Sequence, residues 1–240
     1  MADVRPDPPV IEHHHRDIKG GAARAAVFGV SDGLVSNVGL ILGVAGANPA
    51  PGVVRLAGLA GLIAGAVSMA AGEYNSMRVQ AELLEHELQL ERIELHRNPH
   101  VETVELSQIY QSRGVAPDAA RELAEAMMAD PEMALEAHAR EELGIDPSDL
   151  GSPVAAALSS LLAFSVGALV PLIPWFIGRG NGAILASLVL ALAAATVVGV
   201  FIARSTDRPL PRVIGRQLLF TAIPAALTYA IGSAVGVGVG

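Results

Sequence analysis

Three long uncharged stretches dominate the C-terminal half of the chain. Residues 153–178, 180–203 and 217–240 contain no acidic or basic side chain. A helix needs about 20 apolar residues to cross the hydrocarbon core of a bilayer, and soluble helices rarely stay uncharged for so long. The pattern therefore predicts three membrane-spanning helices at about 153–177, 181–203 and 213–238.

Two further apolar stretches lie near the N-terminus. Residues 25–54 carry a single charge, Asp32, and the uncharged residues 56–72 lead into Glu73. The first stretch begins too late and is too long for a cleaved signal peptide, and further spans follow it. Spans at about 24–46 and 53–76 complete the prediction of an all-α membrane protein with five transmembrane helices.

A hydrophilic helical insert is predicted between the second and third spans. Nothing breaks the helix after Glu73, so span 2 should continue to about Arg97, where Asn98 and Pro99 stop it. Glycines and prolines then predict three shorter helices and no strand. These helices are expected at 101–113, from Pro117 onward, and at 132–143 behind an Asp130 cap.

The insert is strongly acidic. From Arg78 to Leu150 the chain has 17 acidic and 6 basic residues, whereas the whole chain has a net charge of −8. This excess argues against nucleic acid or anionic lipid as a partner of the insert and suits cations. The absence of cysteine excludes disulfides and thiolate ligands.

The distribution of basic residues predicts the orientation. Lysines and arginines concentrate on the N-terminal flank and in the loop at 204–216, which the positive-inside rule assigns to the cytoplasm. The insert then lies in the cytoplasm, and the Ala-rich composition with more Arg than Lys favours a bacterial inner membrane. The expected divisions are a tail at 1–23, helices 1 and 2 at 24–79, the insert at 80–150 and helices 3 to 5 at 151–240.

Three side chains in the first two spans are candidate cation ligands. Asp32 is an acid inside span 1, where an unpaired charge is costly, and Ser31, Ser36 and Asn37 add oxygen atoms near it. Met69 and Glu73 share a face of span 2, so a thioether and a carboxylate form a mixed site that favours Fe²⁺ over Ca²⁺ or Mg²⁺. The alternatives are an acid that reaches the interface and a methionine that only packs.

The insert holds six more candidates. Two pairs, Glu91 with Glu94 and Glu102 with Glu105, each lie on one helix face, and a fold-back at Asn98–Pro99 would bring all four together. His138 and Glu142, four residues apart, could close the cluster. The alternative is a solvated acidic face. The remaining histidines are predicted to be surface or tail residues: His86, His96, His100 and the run His13, His14 and His15.

Two motifs resemble the vacuolar iron transporter family, which includes plant and yeast importers of Fe²⁺ and Mn²⁺ into the vacuole. They are FGVSDGL at 28–34 and GAVSMAAGEY at 65–74. The resemblance extends over nearly the whole chain, with five spans and a cytoplasmic insert. It implies a homodimer with the ion path at its interface and an exchange of metal for protons.

The resemblance also implies residue roles. Asp32 and Met69 match path-lining positions, and Glu91, Glu94, Glu102, Glu105 and Glu142 match metal-binding glutamates of the insert. His138 stands where the family has a methionine. A span 2 glutamate of plant members falls at Gly61, so Glu73 is expected to take its role.

The predicted function is export of Fe²⁺, or Mn²⁺, from the cytoplasm in exchange for protons. No enzyme activity and no prosthetic group are expected, since the metal is cargo. The dimer is expected to form through the Gly- and Ala-rich face of span 2. The rival hypotheses are a ferritin-like di-iron protein and a membrane-anchored metal sensor without flux. Against the first, no helix carries a Glu-x-x-His pair.

Overall fold

The computed structural model describes residues 21–148 and 151–237, and every regular element in these ranges is a helix. Five helices are long and apolar enough to cross a membrane, which confirms the five predicted spans. The tail with His13, His14 and His15 lies outside the described residues. The elements are α1 (Gly21–Gly46), α2 (Pro51–Arg97), α3 (Pro99–Ser112), α4 (Pro117–Met128), α5 (Pro131–Glu141), α6 (Pro153–Leu172), α7 (Pro174–Ile177), α8 (Gly180–Ser205) and α9 (Leu210–Val237).

Helix α2 is the longest element and joins the membrane region to the insert. Its 47 residues extend about 70 Å at ~1.5 Å per residue, more than twice the thickness of a hydrocarbon core. The helix ends at Arg97, as predicted, and Pro99 occupies the first position of α3. A continuous helix, the C-terminal half of α2, therefore connects the insert helices α3 to α5 to the membrane region.

Local signals set the ends of the insert helices. Gly114 and Gly144 follow α3 and α5 with φ values of 93° and 66°, a conformation that favours glycine. The Asp130 carboxylate accepts hydrogen bonds from the backbone N–H groups of Glu132 and Met133 and so caps α5. The predicted boundaries at Pro117, Asp130 and Gly144 are confirmed.

Prolines shape the third and fifth spans. Span 3 consists of α6, which contains Pro171, and the single turn α7, which begins at Pro174. The Ser187 hydroxyl of α8 donates a hydrogen bond of 2.7 Å to the Pro171 carbonyl. Pro224 lies inside α9. The Ser187–Pro171 contact joins α6 to α8 close to the break between α6 and α7.

Helix α1 is the centre of the bundle. It packs against α2, α6, α8 and α9. In its most hydrophobic stretch 44% of the residues are buried, against 11% in the corresponding stretch of α9. Gly33 and Gly167 let α1 and α6 cross closely, because a Cβ at either position would meet backbone atoms of the other helix. The main core cluster is formed by Leu34, Val38, Leu42, Ala191, Ala195 and Ala225.

One end of the bundle gathers the basic residues. The Arg24 guanidinium at the start of α1 is 2.9 Å from the Glu73 carboxylate, which places the start of α1 beside the point where α2 leaves the apolar span. Arg24 also lines a lateral groove with Ser205, Thr206 and Arg216. The N-terminal end of α1, the insert and the α8–α9 loop are therefore at the same end of the bundle.

Three glycines of span 2, Gly58, Gly61 and Gly65, pack inside the protomer. A Cβ at Gly58 would meet Leu172 and Ile41, and a Cβ at Gly65 would meet the Phe164 ring. Gly61 faces α1. These three glycines are thus used for contacts with α1 and α6. The exposed surface of α2 carries both small and larger apolar residues, namely Ala60, Ala64, Leu56, Ile63 and Val67.

Candidate metal sites in the membrane and in the insert

A cavity of about 280 Å³ lies between α1, α2 and α6, in the apolar part of the bundle. It brings together Asp32 and Met69, two predicted ligands that lie on different helices. A carboxylate and a thioether on one cavity offer hard and soft donors to a transition metal ion. The complete lining is Asp32, Ser36, Asn37, Leu40, Gly61, Gly65, Ser68, Met69 and Phe164.

Asp32 is the acidic group of this cavity. The Ser36 hydroxyl, one helical turn further along α1, donates a hydrogen bond of 2.8 Å to the Asp32 Oδ1 atom. The ion pairs found among the described residues do not include Asp32. Asp32 also lines the lateral groove that holds Arg24 and Arg216. The Asp32 side chain therefore lies between the groove and the cavity.

Glu73 lies apart from the other two predicted membrane ligands. Its carboxylate forms the ion pair with Arg24, and Glu73 does not line the cavity that holds Asp32 and Met69. The sequence analysis missed Arg24 as a partner. The sequence positions could have indicated this pair. Arg24 begins span 1 and Glu73 ends span 2, and adjacent antiparallel helices bring those two ends together.

The second candidate site is in the insert, around His138 of α5. This side chain is 0% exposed. Its Nδ1 atom lies 3.2 Å from a Glu91 oxygen, 3.4 Å from a Glu142 oxygen and 3.9 Å from a Glu102 oxygen. One ligand atom from each of Glu91, His138 and Glu142 falls within 4.8 Å of the others, a spacing that a single metal ion can bridge.

The four paired glutamates are not equivalent. Glu91 on α2 and Glu102 on α3 are only 4% and 6% exposed, whereas Glu94 and Glu105 are exposed at the rim. The turn at Asn98–Pro99 folds α3 back on α2, as predicted. Burial of Glu91 and Glu102 against His138 excludes a purely solvated acidic face for these two residues. His86, His96 and His100 are exposed, as expected.

An ion pair missed by the sequence analysis holds the end of α5 in place. The Arg113 side chain, just after α3, pairs with the Glu141 carboxylate and donates a hydrogen bond of 2.9 Å to the Glu141 carbonyl oxygen. Glu141 lies three residues after His138. The contact therefore joins the C-terminal ends of α3 and α5.

The cluster shifts the protonation of its carboxylates. Burial, and next the negative charges of Glu142, Glu102, Glu94 and Glu105, raise the pKa of Glu91 from 4.5 to about 7. Burial and the Glu105 charge also raise the pKa of Glu102, although His138 opposes that shift. A divalent cation among these groups would relieve both the desolvation and the repulsion.

The raised pKa of Glu91 predicts a pH-dependent stability. The metal-free folded protein holds a proton on Glu91 that the unfolded chain releases near pH 4.5. This contribution to stability is complete below pH 4.5 and is lost as the pH rises through about 7. In chelator, the insert should therefore melt at a lower temperature at pH 8 than at pH 6.

A bound metal ion should remove the decrease in unfolding temperature between pH 6 and pH 8, because the metal takes the place of the proton on Glu91. The measurement is thermal unfolding at several pH values, with chelator or with saturating metal. Glu91→Gln is the control variant and should show a flattened dependence in chelator. An unchanged pH slope in Glu91→Gln would show that another group is responsible.

Comparison with known proteins agrees with this arrangement. The family described as "VIT family" matches residues 23–233. A vacuolar iron transporter of Acanthamoeba castellanii is 37% identical over 97% of this chain and 84% of its own length. Vacuolar iron transporter 1 of Eucalyptus grandis is 32% identical, over 90% of this chain and 87% of its own length.

A second plant relative covers a similar share of the chain. Vacuolar iron transporter 1 of Oryza sativa subsp. japonica is 30% identical over 94% of this chain and 88% of its own length. The matches thus cover the spans and the insert together, in the order that the structure has them. Since both the family match and these relatives extend over most of the chain, it belongs to the VIT family.

Proposed function

We propose that this protein transports a divalent transition metal ion across a membrane, with Fe²⁺ as its main cargo and Mn²⁺ as a second. The observation that carries the proposal is the open cavity between α1, α2 and α6, which Asp32 and Met69 line together. A carboxylate binds any divalent ion, but a thioether selects transition metals over Ca²⁺ and Mg²⁺. The names of the vacuolar iron transporters that resemble this chain support iron as the cargo.

The insert gathers the ion before it enters the membrane. Glu91, Glu102, His138 and Glu142 form the binding cluster, and the exposed Glu94 and Glu105 add negative charge at its rim. The insert is at the same end of the bundle as the arginine-rich loop, which the positive-inside rule assigns to the cytoplasm. Transport therefore runs out of the cytoplasm, through the inner membrane of a bacterium.

Export of a divalent cation needs an energy source. Moving two charges outward against ~100 mV costs on the order of 4.6 kcal/mol, at about 2.3 kcal/mol for each charge. Inward flow of protons offsets this cost. Carboxylates suit the coupling, because binding of metal displaces a proton and binding of a proton releases the metal.

A second copy of the chain completes the transporter. The span of α2 is only 17% buried within the protomer, and it exposes Leu56, Ile63 and Val67. The cavity with Asp32 and Met69 is bounded by α2 on one side. A homodimer formed through the exposed face of α2 would place the two cavities next to the interface and shield them from lipid.

Reconstitution in liposomes tests the proposal. With a metal-quenched dye inside, Fe²⁺ and Mn²⁺ added outside should enter protein-containing vesicles, and the vesicle interior should become more alkaline because protons leave in exchange. Ca²⁺ and Mg²⁺ should not enter, because the thioether offers them no ligand. Metal binding to the protein without any entry would favour the membrane-anchored sensor and reject transport.

A further inference from the structure

A buried amide in the membrane cavity has an oxygen atom without a hydrogen-bond donor. The Asn37 side chain is 2% exposed and lines the cavity together with Asp32 and Met69. Its Oδ1 atom has no hydrogen-bond partner among the described residues. A buried carbonyl oxygen without a donor is unfavourable, and more so in a bundle surrounded by lipid. Such an atom calls for an occupant of the cavity.

The orientation of the amide follows from its other end. The Asn37 Nδ2 group donates a buried hydrogen bond of 2.6 Å to the Ala168 carbonyl oxygen of α6. Rotating the amide would bring two oxygen atoms together at that position and lose the bond. The contact with α6 therefore turns the Asn37 oxygen, and not its N–H group, toward Gly61 of α2, which lines the cavity with it.

Gly61 of α2 faces this oxygen. A Cβ atom added at Gly61 would lie 2.9 Å from the Asn37 Oδ1 atom and would also collide with the end of the Leu40 side chain. The buried oxygen therefore lies directly against the Gly61 backbone, at the wall of the cavity. Asn37 is five residues beyond Asp32 on α1, which is about 7.5 Å further from the arginine-rich end.

We propose that the Asn37 side-chain oxygen is a ligand of the transported cation, deeper in the membrane than Asp32. This inference rests on the proposed transport of metal. An ion that leaves Asp32 then meets a neutral, hard oxygen donor before it reaches the far side. An amide oxygen binds Mn²⁺ and Fe²⁺ well and releases them more easily than a carboxylate does, since it carries no charge.

Asn37→Leu keeps the branched shape with the same number of side-chain heavy atoms, and removes both the oxygen and the N–H group that bonds to Ala168. Because a hard donor matters more to Mn²⁺ than to Co²⁺, the ratio of Mn²⁺ to Co²⁺ initial rates in liposomes should fall by roughly threefold or more. A purely structural role, through the bond to Ala168, would instead lower the two rates together. The ratio therefore separates a ligand from a packing residue.

Gly61→Ala gives a second variant that leaves the Asn37–Ala168 bond in place. Its methyl group would cover the Asn37 oxygen, so the ratio of rates should fall as in Asn37→Leu. Gly72→Ala is the matched control on the same helix, because a Cβ there meets nothing within 4 Å. This control should transport both ions at wild-type rates.

Three outcomes decide the inference. A reduced ratio in Asn37→Leu and Gly61→Ala, with Gly72→Ala unchanged, supports the Asn37 ligand. An unchanged ratio in a folded Asn37→Leu protein, at normal or uniformly lower rates, overturns it, and Gly61→Ala decides if Asn37→Leu does not fold. Failure of the wild-type protein to move any metal ion would instead reject the proposed function itself.

Discussion

Asp32→Ala is expected to abolish metal transport while the protein stays folded. The described residues give the Asp32 carboxylate a hydrogen bond from Ser36 and no basic partner, so its removal breaks no ion pair. Loss of a charged ligand worth about 3 kcal/mol corresponds to more than 100-fold in ion affinity. The measurement is Fe²⁺ entry into liposomes, beside a thermal unfolding curve of the same protein.

Two further variants separate charge from shape at this position. Asp32→Asn keeps the size and an acceptor for the Ser36 hydroxyl but removes the charge, and should be nearly as inactive as Asp32→Ala. Ser36→Ala keeps the charge and should retain most of the flux. If Asp32→Asn transports Fe²⁺ at the wild-type rate, the carboxylate is not a ligand and the polar path must avoid it.

The second large effect is expected in the insert. Glu91→Gln combined with Glu102→Gln should remove most metal binding, because both carboxylates are buried and converge on the His138 Nδ1 atom. Loss of two charged ligands should weaken binding by at least ~100-fold. Transport should fall at low metal concentration and recover at high concentration, since the cavity ligands remain.

The matched control uses the exposed members of the same pairs. Glu94→Gln combined with Glu105→Gln removes the same charge from the same two helices, but only from the rim. Binding should weaken a few-fold, and salt should reduce the difference, because exposed charges are screened. Calorimetric titration of both double variants is the measurement. Equal losses of metal affinity in the two double variants would show that net charge alone holds the metal.

The double variant should also change the stability of the metal-free protein. Burial and neighbouring acids raise the pKa of Glu91 and of Glu102, so both are unfavourable as charged groups in the fold. Their neutral amides should therefore raise the unfolding temperature at pH 8 in chelator. A lower unfolding temperature would mean that the amides disturb the packing around His138, and the binding result would then need single substitutions.

Much of the fold could be predicted because its causes are local. An uncharged stretch of membrane length must become a helix in lipid, where every backbone group needs an internal partner. Capping and breaking residues act within a few positions, so Asn98–Pro99, Pro117, Asp130 and Gly144 end or begin the helices where expected. The interruption of the third span at Pro174 has a local cause as well, because proline has no backbone N–H to donate.

The resemblance to a known family guided the choice of ligands, and the tertiary structure distinguished among them. Spacing treats Glu91 and Glu94 alike, as it does Glu102 and Glu105. Only the rotation of α2 and α3 against α5 decides that the first member of each pair is buried beside His138. Helix periodicity defines a face but does not say which neighbour covers it.

For the candidate ligands in the membrane, too, the sequence determined some features and the tertiary structure decided others. The sequence by itself determined that Asp32, Met69 and Glu73 lie in or next to apolar helices. Contacts between helices decided that Arg24 pairs with Glu73, that Asp32 and Met69 share a cavity, and that Ala168 turns the Asn37 oxygen toward α2. These contacts join residues far apart in the chain, so local pattern could not determine them.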